Sequence, residues 1–301
     1  MTENNQVTEH YRSSIYIKLK NGLLFESSNF LSQWGAGEYK LNLNFEDDYM
    51  SLEALQNCTI YIPYATFTTI EQALVITEFL KKMKVNIEKT LIGYVSYSRQ
   101  DRATATEPQL CHFIITLIGM LTNPTIIDMH NEESLTLFNI EKVSAAKMFY
   151  NLAISLDSSA IIIAPDKGAA NRLKKHGVYV DGYLNKTRNN NRVTTTIEDN
   201  VKETLTDKIR LIKSLGKRPK FFIIDDICDG GRTFIEAVNC LQKLENAYTA
   251  DYYLMVSHAI LPFGVDNLKS KINKIYTLAT AQLMSDDYIT VIGMNEMLDK
   301  L

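Results

Sequence analysis

A chain of 301 residues, 46% hydrophobic and 22% charged, has ordinary globular composition and material for about two domains. Its 13 glycines and 6 prolines are too few for a collagen-like, Pro/Gly-disordered or turn-dense all-β chain. A formal charge of −3 excludes a histone-like nucleic-acid binder, and four scattered cysteines without a C-x-x-C spacing exclude a disulfide scaffold or zinc ribbon. A reducing compartment fits that cysteine usage. The N-terminal run lacks a signal pattern and no stretch approaches the ~18 apolar residues of a membrane span, so the reading is a cytoplasmic protein with no membrane partner.

In chain order, short β-branched runs predict buried strands over Thr59–Tyr64, Thr90–Tyr94, Thr125–Asp128, Ala160–Ala164, Phe221–Ile224, Tyr252–Val256, Lys274–Leu278 and Ile289–Ile292. Amphipathic periods fall between several of them. The clearest places Phe234, Ala237, Val238, Leu241 and Leu244 on one helical face. Strand, loop and helix repeated in this way predict an α/β protein, doubly wound and mostly parallel, with ligands beyond the carboxyl ends of its strands. The helical stretch Val143–Leu156 separates two groups of strands, which predicts domains over 1–150 and 151–301, the last segment returning to the first domain. Between Lys167 and Lys220 fourteen Lys/Arg stand against five Asp/Glu, either an anion-binding stretch or a solvated basic face.

The strongest motif runs from Phe221 to Thr233, FFIIDDICDGGRT. A buried strand delivers the carboxylates Asp225 and Asp226, and the loop Asp229, Gly230, Gly231, Arg232, Thr233 opens the next helix. Two glycines permit a tight turn with inward amides, an anion nest reinforced by the helix N-terminus. Carboxylates above such a nest suit a ribose phosphate, with acceptors for two vicinal hydroxyls and donors for the phosphate. Helix capping alone calls for one acid, not three in five positions. Tyr97-Ser-Arg-Gln-Asp-Arg102 puts dense donors on a loop after a strand, and Asp128-Met-His130 sets two polar groups at a strand end within reach of a divalent cation. Asp166 follows another apolar strand, and Lys186 and Arg188 lie in an asparagine-rich, mobile-looking loop that suits closure over a reacting phosphate. Singly, each of these four is as readily an ordinary polar loop.

Taken in order, Tyr97–Arg102, Asp128-Met-His130, Pro165-Asp166-x-Gly168 with Arg172, Lys186-x-Arg188 and Asp225–Thr233 resemble the ribose-phosphate pyrophosphokinases, which make phosphoribosyl pyrophosphate (PRPP). The resemblance covers roughly residues 30 to 280. It implies two phosphoribosyltransferase-like domains with the active site between them, and a magnesium-dependent transfer of the ATP pyrophosphoryl group to the anomeric hydroxyl of a 5′-phosphorylated ribose, releasing AMP. By the same resemblance Arg99, Gln100, Asp101 and His130 contact ATP, with Trp34 as an adenine platform beside Glu38; a buried core tryptophan is the competing reading of Trp34. His130 and Asp166 bind Mg2+, Lys186 and Arg188 are catalytic, and Asp225, Asp226 and Asp229 to Thr233 hold the ribose phosphate. Dimers assembled into hexamers are also implied.

This chain departs from the family pattern where D-T-x-G-T becomes Asp229-Gly-Gly-Arg-Thr233, and where Ala36 replaces an Asp or Asn beside Trp34. Losing a side chain at Gly230 and gaining charge at Arg232 suit a 5′-extended acceptor such as ADP-ribose, or reshape the same ribose 5-phosphate site neutrally. Two rival functions stand beside this one. A phosphoribosyltransferase shares the last loop, but does not need the Tyr97, Asp128 or Lys186 motifs. A non-catalytic regulatory homologue would keep the fold and lose the Lys186 and Arg188 cations, which are present.

Overall fold

The computed structural model describes residues 14–42, 51–100, 108–136, 138–189, 192–245 and 247–301. The chain divides into two compact units, one of residues 1–143, 279–283 and 293–301, the other of residues 144–278 and 284–292. That division lies between Val143 and Ser144, ahead of a helix, whereas a cut at 150/151 would fall inside the helix.

The first unit opens with β1 (Tyr16–Lys18), β2 (Leu24–Glu26), β3 (Leu31–Gln33) and β4 (Tyr39–Leu41). It continues with β5 (Cys58–Ala65), α1 (Phe67–Lys82), β6 (Ile87–Val95), α2 (Leu110–Ile118), β7 (Pro124–Ile127) and β8 (Glu141–Val143). Six strands form a sheet of order β2-β1-β5-β6-β7-β8, parallel from β5 to β8 with β1 and β2 antiparallel. The runs read from sequence as strands are those whose both faces are buried, such as Ile60, Ile62, Leu91, Ile92, Ile126 and Ile127. Thr66 starts α1 with a reciprocal cap: its hydroxyl accepts from the Thr69 amide while the Thr69 hydroxyl accepts from the Thr66 amide. At Gly93 a side chain would lie 2.3 Å from the Pro63 carbonyl and 2.9 Å from Thr280, so glycine lets residues 279–283 cross close over the sheet. Tyr61, buried within the same unit, donates its hydroxyl to the Ala279 carbonyl.

The second unit contains α3 (Ala146–Leu156), β9 (Ile161–Ala164), α4 (Lys167–Lys175), β10 (Gly182–Tyr183), β11 (Asn185–Asn189) and β12 (Arg192–Thr196). It goes on through α5 (Asp199–Ser214), β13 (Lys220–Cys228), α6 (Arg232–Leu241), β14 (Asp251–Ala259), α7 (Asp266–Lys269), β15 (Lys274–Leu278) and β16 (Ile289–Ile292). Its six-stranded sheet has order β10-β9-β13-β14-β15-β16 and is parallel throughout. Phe221 stacks on its register partner Tyr252 and Phe222 on Tyr253, with centroids 5.2 and 4.9 Å apart, so the aromatic pair of the FFIIDD run locks β13 to β14 through both faces. The face toward α6 is filled by Phe234, Ala237, Val238 and Leu241, the residues read from the helical period.

Two sequence expectations change. The Asn-rich segment read as a mobile loop forms a separate two-stranded antiparallel ribbon, β11 with β12, in which Lys186 faces Thr195 in register and Arg188 faces Val193. The basic run from Lys167 to Lys220 is not one free patch either. Arg172, Arg210, Arg218 and Lys220 are ion-paired to Asp225/Asp226, Glu245, Asp251 and Asp157, all outside the run. Linear charge counts miss acids that the fold delivers from neighbouring strands. Among the described residues no helix is long and apolar enough to cross a membrane.

Candidate active site

In the second unit, two strand ends and one helix assemble an acidic cluster around a single guanidinium. β13 carries Asp225 and Asp226 at its carboxyl end, and Arg172 reaches them from α4, its Nη2 donating to Asp225 Oδ1 at 2.6 Å and to Asp226 Oδ1 at 2.9 Å. Both carboxylates are almost wholly shielded and the guanidinium is about three-quarters so. Burial, then the neighbouring Asp226, push the Asp225 carboxyl well above the usual carboxylate range, and Arg172 works in the opposite direction. Asp166, at the end of β9, lies near the same guanidinium and helps to hold it charged. Its Oδ1 accepts the Ala169 amide at 2.9 Å, so this predicted metal ligand is also the N-cap of α4. A side chain at Gly168 would lie 3.2 Å from that oxygen and 3.8 Å from Arg172, which explains the glycine of the P-D-x-G motif.

The glycine loop follows directly. Gly231 is the N-cap of α6 with φ +77°, and a Cβ there would stand 2.6 Å from Leu268 Cδ2. Both the backbone and the packing require glycine at 231. Gly230 differs: its φ is ordinary and a side chain would meet only Phe263, at 4.0 Å. Gly231→Ala is therefore expected to cost about 2–5 kcal/mol, the sum of a left-handed non-glycine residue and an overpacked contact, read as a lowered urea midpoint. Asp229 is exposed, Thr233 half-buried. Arg232 is 81% exposed and its Nε donates to Glu236 at 2.7 Å, one turn along its own helix. Cys228, next to Asp225, is buried and its thiol is pushed up to about 12 by burial and the adjacent acids, which removes it as a nucleophile. All four cysteines are free and buried.

Apart from Lys186 and Arg188, the remaining predicted residues belong to the first unit. Trp34 sits at the tip of the β3–β4 hairpin, closed by the Trp34 amide on the Glu38 carbonyl at 2.8 Å and by Gly37 at φ +94°. It is 58% exposed, with Lys40 Nζ 4.3 Å from its ring centroid, so it is not a core tryptophan. Arg99 is exposed and Gln100 half-buried in a turn after β6, where Tyr97 takes φ +61° and the Gln100 amide donates to the Tyr97 carbonyl at 2.8 Å. Asp101 and Arg102 fall outside the described residues. Asp128, at φ +39°, and His130 follow β7, half-buried on either side of the buried Met129. Lys186 and Arg188 are placed on β11 by backbone register. Among the described residues no three His, Cys, Asp or Glu side chains converge as a preformed metal cage.

Sequence reasoning matched Arg172 to a motif but gave it no role; the FFIIDD run alone does not show which cation neutralises the pair. The signal was its position six residues after Asp166, on the helix that this aspartate caps.

These features define a class: an α/β protein of two six-stranded, mainly parallel sheets, one bearing an acidic pair followed by a glycine loop that opens a helix. Comparison with solved structures matches phosphoribosylpyrophosphate synthetase from Mycobacterium smegmatis at a TM-score of 0.62 and 16% identity, over 90% of this chain and 87% of that one. Among curated proteins, the ribose-phosphate pyrophosphokinase of Pyrococcus abyssi is 26% identical over 235 residues, 75% of this chain and 78% of the relative. That of Pyrococcus furiosus is 28% identical over 204 residues, covering 66% of this chain and 68% of its own. No family model matches. The chain is a distant homologue of the ribose-phosphate pyrophosphokinases, or PRPP synthetases, over most of its length and has their fold.

Proposed function

We propose that the protein transfers the β,γ-pyrophosphoryl group of ATP to the anomeric hydroxyl of a 5′-phosphorylated ribose and releases AMP. The observation that carries this reading is the Asp225/Asp226 pair, held by Arg172 at the end of β13 and followed within five residues by the left-handed Gly231 that opens α6. Carboxylates accept the vicinal ribose hydroxyls while the amides of the Asp229–Thr233 loop take the 5′-phosphate. The ribose is thereby gripped at both ends, with its anomeric oxygen projecting away from the nest. That oxygen bonds to the β-phosphorus, the bond between this phosphorus and the bridging oxygen breaks, AMP leaves with the bridging oxygen, and the hydroxyl proton passes to water. Such a transfer depends on alignment and charge neutralisation more than on covalent catalysis.

Magnesium fits a site of this kind through oxygen donors. It commonly rides on nucleotide phosphates with one or two protein carboxylates, and Asp166 offers such a carboxylate after β9. His130, an imidazole, is a softer ligand and suits a hydrogen bond to a phosphate better than direct coordination. When bound, magnesium supplies neutralisation of the polyphosphate charge. Lys186 and Arg188 would add the positive charge that develops its value at the transition state, and Trp34, Arg99 and Gln100 would bind ATP. Ribose 5-phosphate and a 5′-extended ribose such as ADP-ribose both satisfy the acceptor chemistry.

Incubation with ATP, magnesium and either acceptor is expected to yield AMP only when all three components are present, read by nucleotide chromatography and by mass spectrometry of the pyrophosphorylated sugar. ADP as the nucleotide product would replace this mechanism with simple phosphoryl transfer. Nucleotide binding without AMP formation would assign the chain to a non-catalytic role.

A further inference from the structure

Phe263 is 87% exposed, the most exposed large hydrophobic side chain among the described residues. Single exposed aromatics are common, so exposure alone carries no weight. Its setting does. The loop after β14 is tied to the nest at three points: the Ile260 amide donates to the Cys228 carbonyl at 2.8 Å, Asn267 Nδ2 donates to the Gly230 carbonyl at 3.0 Å, and Leu268 packs against Gly231. Within the loop, buried Leu261 takes φ +49° and the Gly264 amide closes a turn onto its carbonyl at 3.0 Å. A leucine in the left-handed region is held there only when its surroundings over-determine it. The ring is therefore presented to solvent on a pinned loop, not left on a slack one.

The position it faces is the one where this chain has lost a side chain. A Cβ on Gly230 would stand 4.0 Å from Phe263 Cδ2 and meet nothing else within that distance, so glycine leaves open space beside the ring. Arg232 stands exposed on the next turn, a planar cation suited to a second phosphate once it leaves Glu236. We infer that Phe263 is a specificity-determining residue, the stacking platform for a planar base that the acceptor carries beyond its 5′-phosphate. The preferred acceptor is then a ribose linked through a diphosphate to a nucleoside, not ribose 5-phosphate. This rests on the reading of the Asp229–Thr233 loop as the 5′-phosphate nest and names the acceptor class for it.

The test titrates ADP-ribose and ribose 5-phosphate calorimetrically into the full-length protein, its Phe263→Ala variant and its Phe263→Tyr variant. Base stacking on an aromatic side chain corresponds to about tenfold to a hundredfold in affinity. The unmutated protein is expected to bind ADP-ribose more tightly than ribose 5-phosphate. Phe263→Ala is expected to reduce the ratio of the two affinities by that factor, and Phe263→Tyr, which keeps the ring, to retain it. Gly230→Thr, which fills the open space, is expected to shift the ratio the same way as Phe263→Ala. A ratio unchanged in Phe263→Ala, or tighter binding of ribose 5-phosphate by the unmutated protein, would overturn the inference while the pyrophosphokinase reading stands. Binding of neither acceptor would overturn that reading and this inference together.

Discussion

Arg172→Ala is expected to destabilise the protein by about 3 kcal/mol at neutral pH, the low end of what breaking a buried ion pair costs, because the guanidinium keeps part of its surface in water. Its removal leaves Asp225 and Asp226 shielded and adjacent, without the guanidinium that both carboxylates share. The loss should depend on pH in a definite sense. Burial and Asp226 already raise the folded-state pKa of Asp225 above its ordinary value, and Arg172 is the influence that lowers it. A group whose folded pKa is raised binds more protons folded than unfolded, so its contribution to stability falls as pH rises from the ordinary carboxyl value through the folded one. Removing Arg172 raises the folded value further and widens that window upward. Urea unfolding should therefore show a smaller difference between variant and parent at pH 5 than at pH 8. A difference that does not change with pH would mean that Arg172 acts through packing alone.

The same pair explains why such a costly arrangement is present. Two carboxylates beside one guanidinium, with Asp166 close by, leave a net negative, hydrogen-bond-accepting surface at a strand end. That is poor for the stability of the empty protein and well suited to a polyol. Asp225→Asn should lower binding of any ribose acceptor without lowering the urea midpoint at pH 8, since it removes the charge whose burial is unfavourable.

The fold was legible where both faces of a strand are buried. All eight runs read as strands are strands, because β-branched stretches such as Ile161–Ala164 and Ile289–Ile292 have no helical alternative of that length. Strands that escaped were short, and apart from the buried Tyr16–Lys18 most were half-exposed. Leu24–Glu26, Leu31–Gln33 and Glu141–Val143 have three residues each and no buried stripe, and Lys186 to Thr195 is polar except for Val193, so no hydrophobic period separates it from a loop. At the site, the order of motifs pointed to the acidic pair and to the glycine loop after it. It did not separate the roles of the two glycines. Gly231 is fixed by its left-handed backbone and by Leu268, a residue 37 positions later, and Gly230 by neither. Phe263 was invisible for the same reason: only the pairing of β13 with β14 brings the following loop beside Gly230.

The remaining large effect concerns the β11–β12 ribbon. Lys186 and Arg188 lie two positions apart on one strand, paired in register with Thr195 and Val193, and the family likeness assigns them to the transferring group. As the β-phosphorus is attacked, negative charge spreads over its equatorial oxygens, and a cation placed for that geometry stabilises the transition state more than bound ATP. Lys186→Ala and Arg188→Ala are each expected to lower kcat by about 10²–10³-fold, the usual result of removing one preorganised donor, while the Kd for ATP changes only severalfold. Steady-state AMP production combined with equilibrium ATP binding separates the two quantities. The double variant should fall short of the product of the singles, because residues that serve one charge act as a unit. Equal losses in kcat and in ATP affinity would show that the ribbon merely holds the nucleotide, and an unchanged kcat would remove both residues from the mechanism. A ribbon with regular strand pairing offers a clean control as well: Thr195→Ala keeps the backbone register opposite Lys186, so a loss of kcat confined to the two cations assigns the effect to their charge and not to the ribbon's shape.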